Sequence, residues 1–204
     1  RAARGARVLS QGLAPLTRPL ESAAGRPTPR ALASAAASTS GSAAFLGPPP
    51  TGLTGRWRKD KAASDSMDAA CDAVALPWVL RKAVGVVKIL ELEDSPAHFR
   101  TRLKAGGILD IVETYPWAPG AAEVVHGRRD KRRGGHTGRV ERVEGGGAAI
   151  RVAWDDPHAG TCVDAFTVSP DGRTLTQATT MVMRGTGEVV AYKTVFRRER
   201  ERAG

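Results

Sequence analysis

The sequence predicts an all-β protein: an antiparallel up-and-down β-barrel or clam of about ten strands with a two-helix lid, preceded by a disordered N-terminal arm. Three observations predict it. From residue 86 onward, short runs of alternating apolar and polar residues are separated by turn residues such as Asp94-Ser95-Pro96, Gly145-Gly146-Gly147 and Ser169-Pro170-Asp171-Gly172. Helical spacing occurs in one place only, between the first strand and the second. No strand alternates with a helix, which excludes doubly wound parallel folds.

The arm comes first. Residues 1–50 are rich in Ala, Ser, Thr, Arg and Pro and carry no period of 2 or 3.6 long enough to bury a face. Residues 1–55 hold six arginines, no lysine and one acid, Glu21. An arginine- and hydroxyl-rich, acid-poor segment has the composition of an organelle transit peptide, with plastid ahead of mitochondrion; a flexible tail is the alternative. The domain is expected over residues 51–204, as a soluble protein.

Its first strand is expected over 52–58, with Trp57 facing inward. Ser64 and Ser66 then stand where a helix N-cap would be, Asp65 and Asp68 fall in a first turn, and Met67, Ala70, Cys71 and Val74 recur at helical spacing. Pro77 breaks that helix and opens a second, with Trp78, Val79, Leu80, Ala83 and Val84 as apolar positions and Gly85 at its end. A DNA-reading helix pair would need basic and polar residues along its second helix, which are absent. Strands follow over 86–93, 97–104, 108–115, 123–128, 136–143, 148–155, 161–168, 173–183 and 188–197. Asp155-Asp156-Pro157-His158 reads as a hairpin turn.

Composition narrows the function classes. The formal charge is +10 and the pI about 10.4, yet the excess sits in the arm and in two clusters, residues 128–133 and 197–202; the rest is near neutral. No evenly basic, nucleic-acid-coating surface is implied. No window of 18 uncharged apolar residues is present. Two cysteines, Cys71 and Cys162, are too few for a disulfide scaffold or a thiolate zinc site. They are read as reduced thiols, with a single bridge the alternative.

Gly55-Arg56-Trp57, the helix pair at 64–85, about ten meandering strands and the final Tyr192-Lys193-Thr194-Val195-Phe196-Arg197-Arg198 together resemble the intracellular fatty-acid-binding proteins of the calycin (lipocalin) group. The resemblance spans approximately residues 52–200. It implies a lidded barrel around a water-containing cavity for a lipophilic ligand, with the helix pair, including Met67, Trp78 and Arg81, as the portal lid. It also exposes a departure. Members that hold a fatty-acid carboxylate use an Arg-x-Tyr pair on the last strand plus an earlier arginine; here Thr194 and Phe196 occupy the pair, and 161–168 contains no Arg or Lys. With that clamp missing, a neutral or weakly polar lipophile is expected.

Alternation supplies the candidate ligand-binding residues. Val190, Tyr192, Thr194 and Phe196 share one face, as do Leu175, Gln177, Thr179, Met181 and Met183, and Trp154 shares a face with Ile150 and Val152, which leaves Arg151 outward. Gln and Thr suit a partly hydrated pocket and Met adapts to ligand shape, although Met181 and Met183 would equally fill an ordinary core.

Catalytic and metal chemistry find no support. His98, His126, His136 and His158 lie on separate segments without metal-ligand spacing, no Gly-x-Ser-x-Gly elbow is present, and the glycine clusters lack the helix that a phosphate loop requires. No metal or cofactor is expected. The cluster Arg128, Arg129, Lys131, Arg132 and Arg133 is expected at the surface, as a solvated loop, a contact for anionic lipid headgroups, or a site for RNA or an acidic protein. At 5% aromatic residues the chain offers no base-stacking stripe, so nucleic acid is not expected. The resulting expectation is a monomer that binds and transports a small lipophilic ligand without transforming it. The alternative is a filled barrel that engages an acidic protein, RNA or an anionic membrane through the basic cluster.

Overall fold

The computed structural model describes residues 51–105, 109–117 and 123–199. The transit-type arm, the Gly106-Gly107 turn and the last basic residues, Arg200 and Arg202, lie outside the described residues. Among those described, ten strands and two short helices follow one another: β1 (Gly55–Asp60), α1 (Asp68–Ala73), α2 (Trp78–Gly85), β2 (Ile89–Asp94), β3 (His98–Ala105), β4 (Leu109–Pro116), β5 (Val124–Gly127), β6 (Gly135–Val143), β7 (Gly147–Trp154), β8 (Gly160–Val168), β9 (Thr174–Met183) and β10 (Val189–Arg198).

All ten belong to one antiparallel sheet in the order β4-β3-β2-β1-β10-β9-β8-β7-β6-β5. Every chain neighbour from β5 to β10 and from β1 to β4 is therefore a hydrogen-bonded neighbour, and β1 meets β10, with Trp57 opposite Arg198 and Lys59 opposite Phe196. The two edges, β4 and β5, come into contact without a ladder between them, so the sheet is a nearly closed barrel. Edge pairing with another chain is limited by this near-closure.

Period-two alternation sends one face of each strand inward. On β4 the inward set is Leu109, Ile111, Glu113 and Tyr115; on β8 it is Cys162, Asp164 and Phe166. Arg151 on β7 is outward, as expected, and pairs with Glu141 at 2.7 Å. Gly138 on β6 is required by Tyr115: a Cβ there would stand 2.8 Å from the Tyr115 ring.

The end of the barrel away from the helices is filled. Leu53, Trp57, Phe99, Trp117, Phe166, Leu175 and Phe196 are buried there, with Phe99 5.7 Å from Trp117 and 5.9 Å from Phe166 between ring centres. Trp57 donates from Nε1 to the Leu53 carbonyl at 2.9 Å, and the Arg198 guanidinium lies 4.1 Å over its ring while donating to the carbonyls of Gly172, Thr54 and Gly52. Asp94 is the polar counterpart of this plug. Its carboxylate accepts from both Nη atoms of Arg142 (2.9 and 3.1 Å), from Trp117 Nε1 (3.1 Å) and from Thr51.

Two local expectations are corrected. The first strand begins at Gly55 rather than at residue 52, because Thr51 and Thr54 are committed to Asp94: the Thr54 hydroxyl accepts from Asp94 N at 2.9 Å. Nor does Ser64 cap a helix. Its hydroxyl donates to Asp60 O and accepts from Val195 N (2.9 Å), and Asp65 pairs with the Lys193 backbone, so residues 64 and 65 prolong the β1 edge along β10. Helix α1 starts after Met67 without a side-chain cap, and the Ser66 hydroxyl accepts from Asp68 N at 3.1 Å while donating to Asp68 Oδ2 at 2.7 Å. Each helix is too short to stand alone, so their burial against the barrel mouth is what holds them.

Candidate ligand-binding cavity

Beneath α1 and α2 the barrel is hollow. The cavity measures about 270 Å³, and most of its wall is apolar: Ala70 and Cys71 of α1, Val74 and Leu76 of the link between the helices, Val84 of α2, Leu103, Leu109, Ile111, Ile150, Val152, Met181 and Phe196 of the strands. That volume is near the lower end of small-molecule pockets. Six of the eight residues expected to meet a ligand line it: Trp154, Gln177, Met181, Tyr192, Thr194 and Phe196. Thr179 and Met183 do not line it, although both are buried on the inward face of β9.

The polar centre of the cavity is an ionic network. Glu113 and Asp164, each 2% exposed, face one another across Arg129. Arg129 donates from Nε and Nη2 to the two oxygens of Glu113 (2.7 and 2.6 Å) and from Nη1 to Asp164 Oδ2 (2.6 Å). This is a bidentate grip on one carboxylate with a third bond to another. Tyr115 donates its hydroxyl to Glu113 Oε2 at 2.9 Å, and His136 Nε2 stands 3.4 Å from Glu113 Oε1. On the other side Gln177 and Thr179 both donate to Asp164 Oδ1, at 3.0 and 2.7 Å. Strand register explains that convergence, since Asp164 lies opposite Thr179 and Thr179 opposite Tyr192.

Burial pushes the Glu113 carboxyl up, but the charge and hydrogen bonds of Arg129, aided by His136 and Tyr115, override it and hold the group down at about 2. Glu113 is thus ionised at neutral pH. Arg129 stays fully charged, because the attraction of Glu113 and Asp164 outweighs the cost of burial. His136 is pushed below its ordinary value by burial, against the pull of Glu113, and is neutral at pH 7. Burial likewise raises the Tyr192 hydroxyl and the Cys71 and Cys162 thiols. Geometrically, one guanidinium is thus shared by two carboxylate side chains, Glu113 and Asp164.

Above the network the turn between β5 and β6 doubles as part of the roof. Arg128 is buried: it donates twice to Asp130 (2.9 and 2.6 Å) and to the carbonyls of Asp155 and Pro157 in the β7–β8 turn. Arg132 bonds Asp130 at 3.1 Å and the Ala75 carbonyl, between the two helices, at 2.7 Å. At the open edge His126 Nε2 lies 3.3 Å from Thr114 N and 3.2 Å from Thr114 O, so a side chain stitches β5 to β4 where no ladder does.

The expected basic surface patch is thereby corrected. Arg128 and Arg129 are internal, because buried carboxylates and carbonyls satisfy them; the unpaired exposure that five adjacent basic residues implied applies to Lys131 and Arg133. Of the lid residues, Met67 lines the cavity, whereas Trp78 is 67% exposed beneath Lys82, 4.7 Å from its ring centre, and Arg81 braces the helix pair through Leu76 O (2.9 Å) and Asp72 (2.6 Å).

Glu113 and Asp164 were within reach of the sequence, since period two puts Glu113 with Leu109, Ile111 and Tyr115, and Asp164 with Cys162 and Phe166. Arg129 carried no such signal, being in a turn. Among the described residues, no group of three or more His, Cys, Asp or Glu side chains is arranged to hold a metal ion. The polar network holds protons and hydrogen bonds instead.

No protein-family model matches the sequence, and no curated protein does. Solved structures match by shape. Apo lipid binding protein 8 of Caenorhabditis elegans superposes with a TM-score of 0.58 at 14% identity, over 72% of this chain and 96% of that one. A variant of the fluorescent protein UnaG gives 0.55 at 17% identity, over 73% and 97%. As-p18, an extracellular fatty acid binding protein, gives 0.53 at 13% identity, over 74% and 98%. Ten meandering strands, a helix pair between the first two and a hollow under that pair give this chain a barrel fold like that of these lipid- and fatty-acid-binding structures.

Proposed function

We propose that the protein binds one small lipophilic ligand inside the barrel and releases it unchanged, as a carrier. The observation that carries this reading is the apolar hollow of about 270 Å³ with a single polar network at its centre. Each methylene placed against that wall contributes about 0.8 kcal/mol, and the polar groups set orientation. The names of two structures of the same shape, a lipid binding protein and a fatty acid binding protein, agree with it.

Chemistry on the ligand has little to work with. Both thiols are pushed up by burial and stay protonated, so neither is a ready nucleophile. Entry and exit require α1, α2 and the β5–β6 turn to part, which breaks the bond from Arg132 to Ala75. The same end presents Lys131, Arg133, Trp78 and Val79 outward, which suits delivery at an anionic membrane. With Arg128 and Arg129 internal, the rival reading of a basic docking module has lost two of its five cations. Import into an organelle, plastid before mitochondrion, belongs to the same proposal and rests on the arm's composition.

Native mass spectrometry of the full-length chain purified from cells tests the binding. A discrete lipophilic mass, lost on solvent extraction, is the expected result. A ligand-free mass together with no uptake of added lipids would sink the carrier reading.

A further inference from the structure

Resting on that reading, we infer that Glu113, Arg129 and Asp164 act as a carboxylate-excluding filter, so that the ligand is an amphiphile with an uncharged oxygen head, an alcohol or a carbonyl, and not a fatty-acid anion.

An arginine in a lipid cavity invites the opposite conclusion, and geometry decides against it. Arg129 spends three of its N–H groups on carboxylates: two on Glu113, one on Asp164. Two carboxylate groups already occupy its guanidinium before a ligand arrives. An incoming carboxylate would become the third anion around one guanidinium, inside a site where charge is poorly solvated. An uncharged head meets no such cost.

The same geometry supplies what an uncharged head needs. A guanidinium has five N–H groups, so one hydrogen on Nη1 and one on Nη2 remain, and Arg129 keeps 32% of its side chain accessible while lining the cavity. Those are the donors that the filter offers to a ligand oxygen. The Tyr192 hydroxyl, on the cavity wall opposite Thr179, adds a further donor or acceptor. Asp164 Oδ2 accepts from Arg129, and a carboxylate oxygen with one such bond has a further lone pair for an alcohol O–H. Both carboxylates hold Arg129 rigidly, so its free donors are oriented in advance.

The remaining charged groups on the wall do not reverse the balance at this spot. Arg128 and Asp130 are paired with one another, and Lys59 lies on β1 opposite Phe196, without a contact to any of the three.

The test is a competition series on the full-length protein. Nile red, an uncharged probe, is loaded and displaced by dodecanol, laurate or dodecylamine, which share one chain and differ in the head. Mildly alkaline buffer keeps the acid ionised and the amine protonated. Dodecanol is expected to displace the probe about tenfold or more better than laurate. The Glu113→Gln/Asp164→Asn double variant leaves Arg129 uncompensated, and there laurate is expected to gain about tenfold or more while dodecanol changes little. Should the double variant not fold, Asp164→Asn alone is expected to move laurate in the same direction by a smaller step. Equal affinity for laurate and dodecanol in the wild type, or no gain for laurate in either folded variant, overturns the filter. Preference for dodecylamine over dodecanol overturns the uncharged head in favour of a cationic one. Failure of Nile red itself to enter the protein would instead refute the cavity reading beneath it.

Discussion

Two of the arginine–carboxylate networks in this barrel, one at each level, do opposite things. At the filled end Asp94 is gripped by Arg142, Trp117 and Thr51, and Arg142 lies 3.7 Å over the Trp117 ring, so the ion pair is sealed by aromatic packing. In the cavity Arg129 is gripped as firmly by Glu113 and Asp164, yet it lines the hollow with 32% of its side chain accessible. The same chemistry is a structural plug where protein surrounds it and, on the inference above, a recognition element where a hollow adjoins it. What distinguishes them is which groups are left over, rather than burial.

Substitutions at the two sites should separate these roles. The largest effect is expected from Asp94→Ala, which removes the carboxylate shared by Arg142, the Trp117 N–H and Thr51 in a packed end: a loss of about 3–5 kcal/mol in chemical denaturation, with ligand preference unchanged in what still folds. A smaller loss at neutral pH, about 2–3 kcal/mol, is expected for Arg129→Met, because Glu113 and Asp164 then border a cavity that water can enter. Its signature is the pH dependence. In the wild type Glu113 sits at about 2, below its ordinary 4.5, so its stabilisation is complete above pH 4.5 and fades as pH falls toward 2, by an amount on the order of 3 kcal/mol. Without Arg129, burial raises that carboxyl, and the Glu113 contribution is expected to weaken as pH rises above 4.5. Denaturation midpoints across pH 2–7 read the sign directly, and identical slopes in both proteins would break the comparison. Tyr115→Phe removes one neutral donor to Glu113 and should cost about 1.5 kcal/mol, measured in the same way. Glu141→Ala breaks only the exposed pair with Arg151 and should stay within about 0.5 kcal/mol; a larger loss would mean that surface pairs matter here as much as buried ones.

The sequence displayed the fold more openly than the site. Alternation and turn residues located the strands within a few positions, since each strand buries one face and the period is read directly. Pro77 and Gly85 bounded the second helix for equally local reasons. The inward faces of β9 and β10 were legible too, which is why Gln177, Met181, Tyr192, Thr194 and Phe196 were placed on the cavity side. Arg129 was not. It leaves a turn and reaches two strands that lie 16 and 35 residues away in sequence, and no local pattern encodes that. Once Arg129 was assigned to the surface, Glu113 and Asp164 had no visible partner, so two inward carboxylates passed as ordinary strand residues. Ser64 misled for a related reason: a serine before a helical run signals a cap, but the hydroxyl found the β10 backbone instead.

The central claim is that the space beneath the helix pair takes up a ligand. The most direct measurement is a Nile red titration of the full-length wild type beside Thr194→Phe, which puts a ring into the cavity wall. The account predicts saturable one-to-one uptake by the wild type and uptake weaker by about tenfold or more in Thr194→Phe at a comparable melting temperature. Equal uptake by the two proteins, or none by either, would contradict it.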